Sequence, residues 1–425
     1  MRILFLGTFL FFSQIINSNP VIQSLADNED YLYVNLKNLP IIDVNLSLKQ
    51  GSVSDGDTPG LTNLMLNVLM NSDINGKKLV SYFENVGAKL SYSVSNETLS
   101  IAIRSVSNLD QVMMLSDVLN SALFTDNIDD VGFNLQKDKI LRAISESYKK
   151  PDSLLESVVS EKLFYDTPFA HQPVGTKDSV INISKKDIKA HRDKIFNLDN
   201  LEINIVGDIT SKGSKRLINK LTNEFSKKEV EPLEEYKLKT VTHHTEFDST
   251  QTHLAVIIPA ISRSDPDYYN LLVANYIFGG SGFGSWLMEE IRQKRGLSYS
   301  VYSYLSTYQN SGYLRISLQT KNESINLAKN IIREQVDKLS KFDVEDATIV
   351  ATKNAILRSF EMRADTNRKI LNLISSINYL NLDLNYFENY KNNLKQVNKD
   401  SIKAALNRAM DFDNVSVFTV GKSIE

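Results

Sequence analysis

The pentapeptide Leu90-Ser91-Tyr92-Ser93-Val94 returns unchanged as Leu297-Ser298-Tyr299-Ser300-Val301. Each copy is followed by the same order of patterns. After the first comes the alternating stretch Thr98-Leu-Ser-Ile-Ala-Ile-Arg104 and a helical pattern from Asp110; after the second come Tyr313-Leu-Arg-Ile-Ser-Leu-Gln319 and a helical pattern near Ser324. The two stretches also close alike, on Asn200-Leu-Glu-Ile-Asn-Ile-Val-Gly207 and Asn414-Val-Ser-Val-Phe-Thr-Val-Gly421. Matching order at a nearly constant spacing implies a duplicated unit of roughly two hundred residues, the size of one domain.

The remaining patterns fit that frame. A chain of 425 residues is too long for one ordinary core, and 42% hydrophobic with 23% charged residues is a globular balance. Each half mixes alternating strands with amphipathic helices outside the βαβ rhythm of a parallel sheet. The predicted class is therefore α+β, with two homologous halves of antiparallel sheets packed with helices. The Lys/Glu-rich stretch around Pro232 is the natural linker, giving a first unit over 27–225, a linker over 226–240 and a second unit over 241–425.

At the N-terminus, Met1-Arg2 precedes the short apolar run 3–12, the pattern of a secretory signal peptide over 1–26. Ser24-Leu25-Ala26 supplies small residues for cleavage, with Ser18 as an alternative, and an uncleaved membrane anchor is the rival reading. No stable membrane span is expected. Zero cysteines excludes disulfides, a thiolate nucleophile and Cys-ligated metal. Export without disulfides fits a bacterial periplasm. The net charge of −3, without a basic block, argues against nucleic acid as a partner.

None of the five histidines has a second ligand at helical metal-binding spacing. His243, His244 and His253 are either solvated strand-edge residues or ligands brought together on paired strands. Phe278-Gly-Gly-Ser-Gly-Phe-Gly284 lacks the Lys-Ser/Thr ending of a phosphate loop and follows a helical pattern over 268–277, so it reads as an interhelical turn able to approach another backbone. The next stretch, 285–295, is predicted to be a helix capped by Ser285 and ended by Gly296, with Tyr299 opening the following strand near Arg292. On residue chemistry alone these are capping charges and a strand tyrosine. In 58–72, TPGLTNLMLNVLMNS, Asn63 and Asn67 share one face of an apolar helix.

Taken together, Leu39-Pro40 through Gly51, Pro59-Gly60-Leu61, Tyr165-Asp-Thr-Pro-Phe-Ala-His-Gln-Pro-Val-Gly175, Phe278-Gly-Gly and Glu290-Ile-Arg-Gln-Lys-Arg-Gly-Leu-Ser-Tyr299 resemble the M16 zinc peptidases. This is the insulinase, pitrilysin and mitochondrial processing peptidase group, and the resemblance is to its short bacterial members over most of 31–422. It implies a clam-like fold. In active members the helix after Pro-Gly-Leu carries His-x-x-Glu-His, two zinc ligands and a general base. By this resemblance those places fall on Asn63, Leu66 and Asn67. The third ligand, a Glu, falls near Ala143 and a supporting acidic position near Gln136, with Glu146 close by.

Amide oxygens are poor zinc donors and a leucine accepts no proton, so no metal is expected in this chain. The resemblance also implies that Arg292 and Tyr299 match an Arg/Tyr pair with seven-residue spacing that contacts substrate and the developing oxyanion. Gly279, Gly280, Gly282 and Trp286 are candidate substrate contacts; Trp286 stands where relatives often have Arg, and core packing is its alternative role. The implied function is the non-zinc-binding subunit of a heterodimeric peptidase, with a zinc-bearing M16 subunit as partner and peptide or unfolded protein as substrate. The alternative is a non-catalytic scaffold or peptide-binding protein of the same fold.

Overall fold

Apolar residues at 42, 44, 46 and 48, and again at 99, 101 and 103, alternate with polar ones, and the chain extends so that the apolar set shares one buried face. A computed structural model describes residues 20–25, 28–227 and 236–423. Its strands in the first half are β1 (Gln23–Leu25), β2 (Asn28–Asn35), β3 (Ile41–Leu48), β4 (Asp73–Ile74), β5 (Lys77–Lys78), β6 (Lys89–Val94), β7 (Leu99–Val106) and β8 (Leu201–Gly207). The second half has β9 (Thr242–Glu246), β10 (Gln251–Ala260), β11 (Val301–Thr307), β12 (Gly312–Lys321) and β13 (Ser416–Gly421).

Helices α1 (Leu61–Met70), α2 (Leu79–Glu84), α3 (Leu109–Leu123), α4 (Asp130–Ser147), α5 (Pro151–Leu163), α6 (Lys177–Asn182), α7 (Lys185–Ile195) and α8 (Ser211–Thr222) belong to the first half. The second has α9 (Tyr268–Asn275), α10 (Ile325–Lys341), α11 (Asp346–Glu361), α12 (Asn367–Tyr379), α13 (Tyr386–Gln396) and α14 (Lys399–Ala409). Several starts are set by side chains that satisfy orphan N–H groups. Asp129 accepts from Val131 and Gly132 ahead of α4, and capping boxes at Ser184/Asp187 and Asn398/Ser401 open α7 and α14.

The two large sheets run β1-β2-β8-β3-β7-β6 and β11-β12-β10-β13-β9. Apart from β1, they superpose in order, and the one parallel pair falls in the same place in each, β2 with β8 and β9 with β13. The α+β class and the duplication therefore hold. The pentapeptide itself is misleading in detail: its first copy ends β6, while its second only reaches the start of β11. Tyr299 consequently lies two residues ahead of the strand it was expected to open.

Each sheet packs its own helices on one face and borrows a helix for the other. Helix α5 lies on β10 and β13, and α12 lies on β8, β3 and β2. Leu155, Val158, Val159 and Leu163 of α5 thus share a cluster with Ala255, Ile257, Phe418 and Val420. Ile370, Leu371, Ile374 and Ile377 of α12 join one with Leu32, Val34 and Val206.

Polar bonds lock the exchange. Arg315 on β12 makes a two-pronged pair with Glu156 on α5, one contact being 2.6 Å, and Asn378 on α12 donates to Asn204 at 3.0 Å. The hairpin tips also meet, where buried Glu97 accepts from the Gln309 N–H at 3.1 Å and burial raises its pKa.

The proposed linker divides: 228–235 lie outside the described residues, whereas Tyr236 packs on Phe169 at 4.5 Å and accepts a hydrogen bond from Ser311. Of the expected signal peptide over 1–26, residues 1–19 and 26 also lie outside them. Residues 23–25 pair with β2, and Ile22 is buried. No helix among the described residues is long and apolar enough to cross a membrane.

Arg315 is buried and always charged, so removing its half-exposed partner leaves an uncompensated guanidinium. Glu156→Ala should cost about 1–3 kcal/mol in urea unfolding, with Glu146→Ala at an exposed pair as the near-neutral control.

Candidate functional site

Helix α1 begins under unusual control. Gly60 takes φ +94°, a left-handed turn that a side chain would strain, and the Asp55 carboxylate reaches forward to accept from the N–H groups of Gly60 (2.7 Å) and Thr62 (2.8 Å). The Thr62 hydroxyl bonds both Asp55 (2.6 Å) and His191 Nε2 (2.7 Å). Burial raises the Asp55 pKa and lowers that of His191 to about 4. Nothing in the residue pattern links positions 55, 62 and 191; only the packing of α7 on α1 does.

Along α1 the amides bond one another rather than aim outward. Asn67 donates to the Asn63 carbonyl (2.9 Å) and side-chain oxygen (3.2 Å), and Asn71 donates to the Asn67 carbonyl (2.8 Å) and to Tyr92 (2.9 Å) on β6. Leu66 is fully buried in the first-half core, and Ala143 is exposed on α4. Gln136 is buried, while exposed Glu146 is held by Lys149. These residues do not fit a zinc ion: the donors are amides already engaged, the base position is hydrocarbon, and no carboxylate stands at 143.

The histidines of the second half do not gather either. His253 on β10 is separated from His243 and His244 by β13, and His244 bonds Thr419 and Ser423. Among the described residues no group of three or more His, Cys, Asp or Glu could hold a metal.

The second candidate region is built on widened helical turns. The expected helix after Ser285 is a π-helix over Met288–Gln293, shown by the Lys294 N–H bonding the Glu289 carbonyl five residues back. A like turn, Tyr276–Gly280, closes α9. The helix ends at Gln293, two residues short of the expected 295, and the chain turns on through Gly296 at φ +60°. Gly279 sits so close to β11 that a Cβ would lie 2.4 Å from the Ser303 hydroxyl oxygen, so its role visible here is to let this turn press on the sheet. Gly280 packs on Asn275, and Gly282 has φ +70° beside Tyr302.

This scaffold brings Arg292 and Tyr299 together. The guanidinium carbon lies 4.5 Å from the Tyr299 ring centroid and 4.8 Å from that of Phe283. Both rings are largely exposed, at 80% and 70%. The neighbouring cations Lys294 and Arg295 are held by Glu290, whose pKa they lower, whereas no carboxylate pairs with Arg292 among the described residues. Phe283 escaped the sequence reading; a bulky apolar residue between flexible glycines was its only signal.

Trp286 points elsewhere. Its ring packs against the second-half core with Phe342, under the Lys338 ammonium at 4.0 Å, so the packing alternative describes its surroundings. No hydrogen bond, ion pair or ring contact joins the Arg292 group to the Asn63 group among the described residues.

Comparison with known proteins places this geometry. Residues 32–177 match the profile described as Insulinase (Peptidase family M16), and 182–356 match Peptidase M16 inactive domain. The chain belongs to the M16 peptidase family. A Helicobacter pylori relative, "Non-peptidase homolog YmxG", is 29% identical over 384 residues, 86% of each chain. The "Uncharacterized zinc protease YmxG" of Bacillus subtilis is 21% identical, covering 79% of this chain and 83% of that one. A crystal structure of a peptidase M16 inactive domain from Pseudomonas fluorescens matches with a TM-score of 0.88 at 26% identity, over 96% of this chain and 99% of that one. This is an M16 chain without the zinc motif.

The Asp55-Thr62-His191 network makes stability pH-dependent. The unfolded chain takes up the His191 proton near its ordinary pKa of 6.5 and the folded chain only near about 4, so stability is full above that upper value and is lost as pH falls through the window. Urea unfolding should show a loss of about 2 kcal/mol between pH 7 and 5, flattened in His191→Gln. The raised Asp55 pKa acts in the opposite sense at lower pH.

Proposed function

We propose that this M16 chain is the non-zinc-binding subunit of a two-chain peptidase, holding peptide and presenting Arg292 and Tyr299 to a zinc-bearing M16 partner. The observation that carries this reading is the guanidinium of Arg292, which pairs with no carboxylate among the described residues and lies against two exposed rings on a widened helical turn while its neighbouring cations are neutralised. A guanidinium held in this way can donate to a peptide carbonyl without first breaking an ion pair, and the phenol of Tyr299 can donate beside it. Edge strands β6 and β11 end the two sheets and offer backbone groups for an extended peptide. The absent metal ligands make zinc the partner's contribution, and this chain needs no cofactor of its own.

A scaffold or peptide-binding role is the second reading, favoured by the non-peptidase name of the Helicobacter pylori relative. The two readings diverge in one assay. Alone with added zinc, the chain should neither retain stoichiometric metal nor cleave peptides. With a zinc-motif partner, Arg292→Ala should lower kcat roughly hundredfold and Tyr299→Phe measurably, without loss of complex formation. Full activity in both variants would establish the scaffold.

Export to a periplasm completes the proposal, and the pairing of residues 23–25 with β2 supports a processing site ahead of them. Cleavage after Ala26 would remove β1 and buried Ile22, whereas cleavage near Ser18 leaves both. Mass spectrometry of the exported protein should therefore find an N-terminus before Ile22; one at Asp27 would refute the Ser18 site, and an intact Met1 would indicate an uncleaved anchor.

A further inference from the structure

We propose that a cavity between the segment leading into α9 and helix α13 is a binding site for a carboxylate, recognised by Arg263. The cavity has a volume of about 440 Å³ and shares no lining residue with the Arg292 group. Arg263 lines it while only 8% exposed. Its guanidinium carbon lies 3.6 Å from the Tyr268 ring centroid, 5.3 Å from that of Tyr269 and 5.6 Å from that of Tyr386, and it donates to the Tyr386 hydroxyl at 2.8 Å.

A buried arginine normally has a carboxylate partner, because aromatic faces and one phenol offset only part of the lost hydration. Among the described residues Arg263 forms no ion pair. The carboxylate nearest in sequence, Asp265, is bound by Arg408, which also holds Asp267. Of the five N–H donors in its planar fork, one is taken by the Tyr386 hydroxyl and the Tyr269 phenol is a second partner, which leaves donors on a residue lining the cavity without a carboxylate.

The opposite wall suits a polar ligand. Asn389, Asn393 and Gln396 project from α13 at i, i+4 and i+7, a stripe of amides along one side of the cavity. Exposed Asp383 stands at the rim. Asp265 also lines the cavity but is neutralised by Arg408, so one buried cation faces one rim carboxylate that is unpaired among the described residues, a balance that favours a single negative charge over a dianion. The matching chemistry is a carboxylate on an amide-bearing body, as in a peptide C-terminus or an acylated amino acid, gripped by the guanidinium fork.

The full-length protein can be titrated calorimetrically with N-acetylglycine, with N-acetylglycinamide as its uncharged twin and with inorganic phosphate. Saturable binding of one N-acetylglycine, with none of the amide, is the expected result. Arg263→Lys keeps the buried charge but loses the fork and should weaken binding about tenfold or more. Asn393→Leu, which narrows the cavity without touching the aromatic cage, should weaken it with the circular dichroism spectrum unchanged. Absence of saturable N-acetylglycine binding, equal binding of the amide, binding of phosphate alone, or wild-type affinity in Arg263→Lys would each overturn the assignment.

Discussion

The exchange of α5 and α12 is the constraint on which the rest depends. A two-sided sheet must be covered on both faces, and each half supplies helices for one face only. The duplicated units are consequently not two beads on a string. The second-half sheet is completed by Leu155, Val158 and Leu163 from the first half, and the first-half sheet by Ile370, Ile374 and Ile377 from the second. Such an interlock fixes the relation of α1 to the Arg292 turn more firmly than a linker could.

The halves have diverged unequally around that shared plan. In the first, Asp55 holds the start of α1, and the amides along that helix bond one another and Tyr92. In the second, widened turns, a close glycine and two exposed rings hold one guanidinium that pairs with no carboxylate among the described residues. The first half thus offers self-bonded amides and hydrocarbon along α1, while the second holds an arrangement suited to contact with a polar ligand.

Much of this was legible in residue order. Alternation revealed the strands, the ordered patterns revealed the duplication, and the helix predicted after Pro59-Gly60 forms with Asn63 and Asn67 on one side of it, as their spacing requires. What escaped has physical causes. Exchange of helices is a tertiary choice that leaves α5 and α12 looking like any amphipathic helix. A π-turn adds one residue to a turn too short to shift a visible period; Phe283 meets Arg292 only through that turn, and His191 acquires its partner only after distant elements pack. Even the pentapeptide repeat located the right pair of edge strands by matching opposite ends of them.

The faces that receive the exchanged helices differ in polarity, and this bears on the order in which the chain is made. Asp43, Asn45, Ser47, Glu202 and Asn204 lie beside Leu32, Val34 and Val206 on the side of the first sheet that α12 covers, whereas Ala255, Ile257, Phe418 and Val420, with Arg315 as the charged exception, meet α5. During synthesis α5 is ready before its sheet exists, but the first sheet must wait for residues beyond 367. A waiting surface rich in amides and carboxylates attracts wrong partners less than a hydrocarbon one. The polar side belongs to the sheet that waits longest.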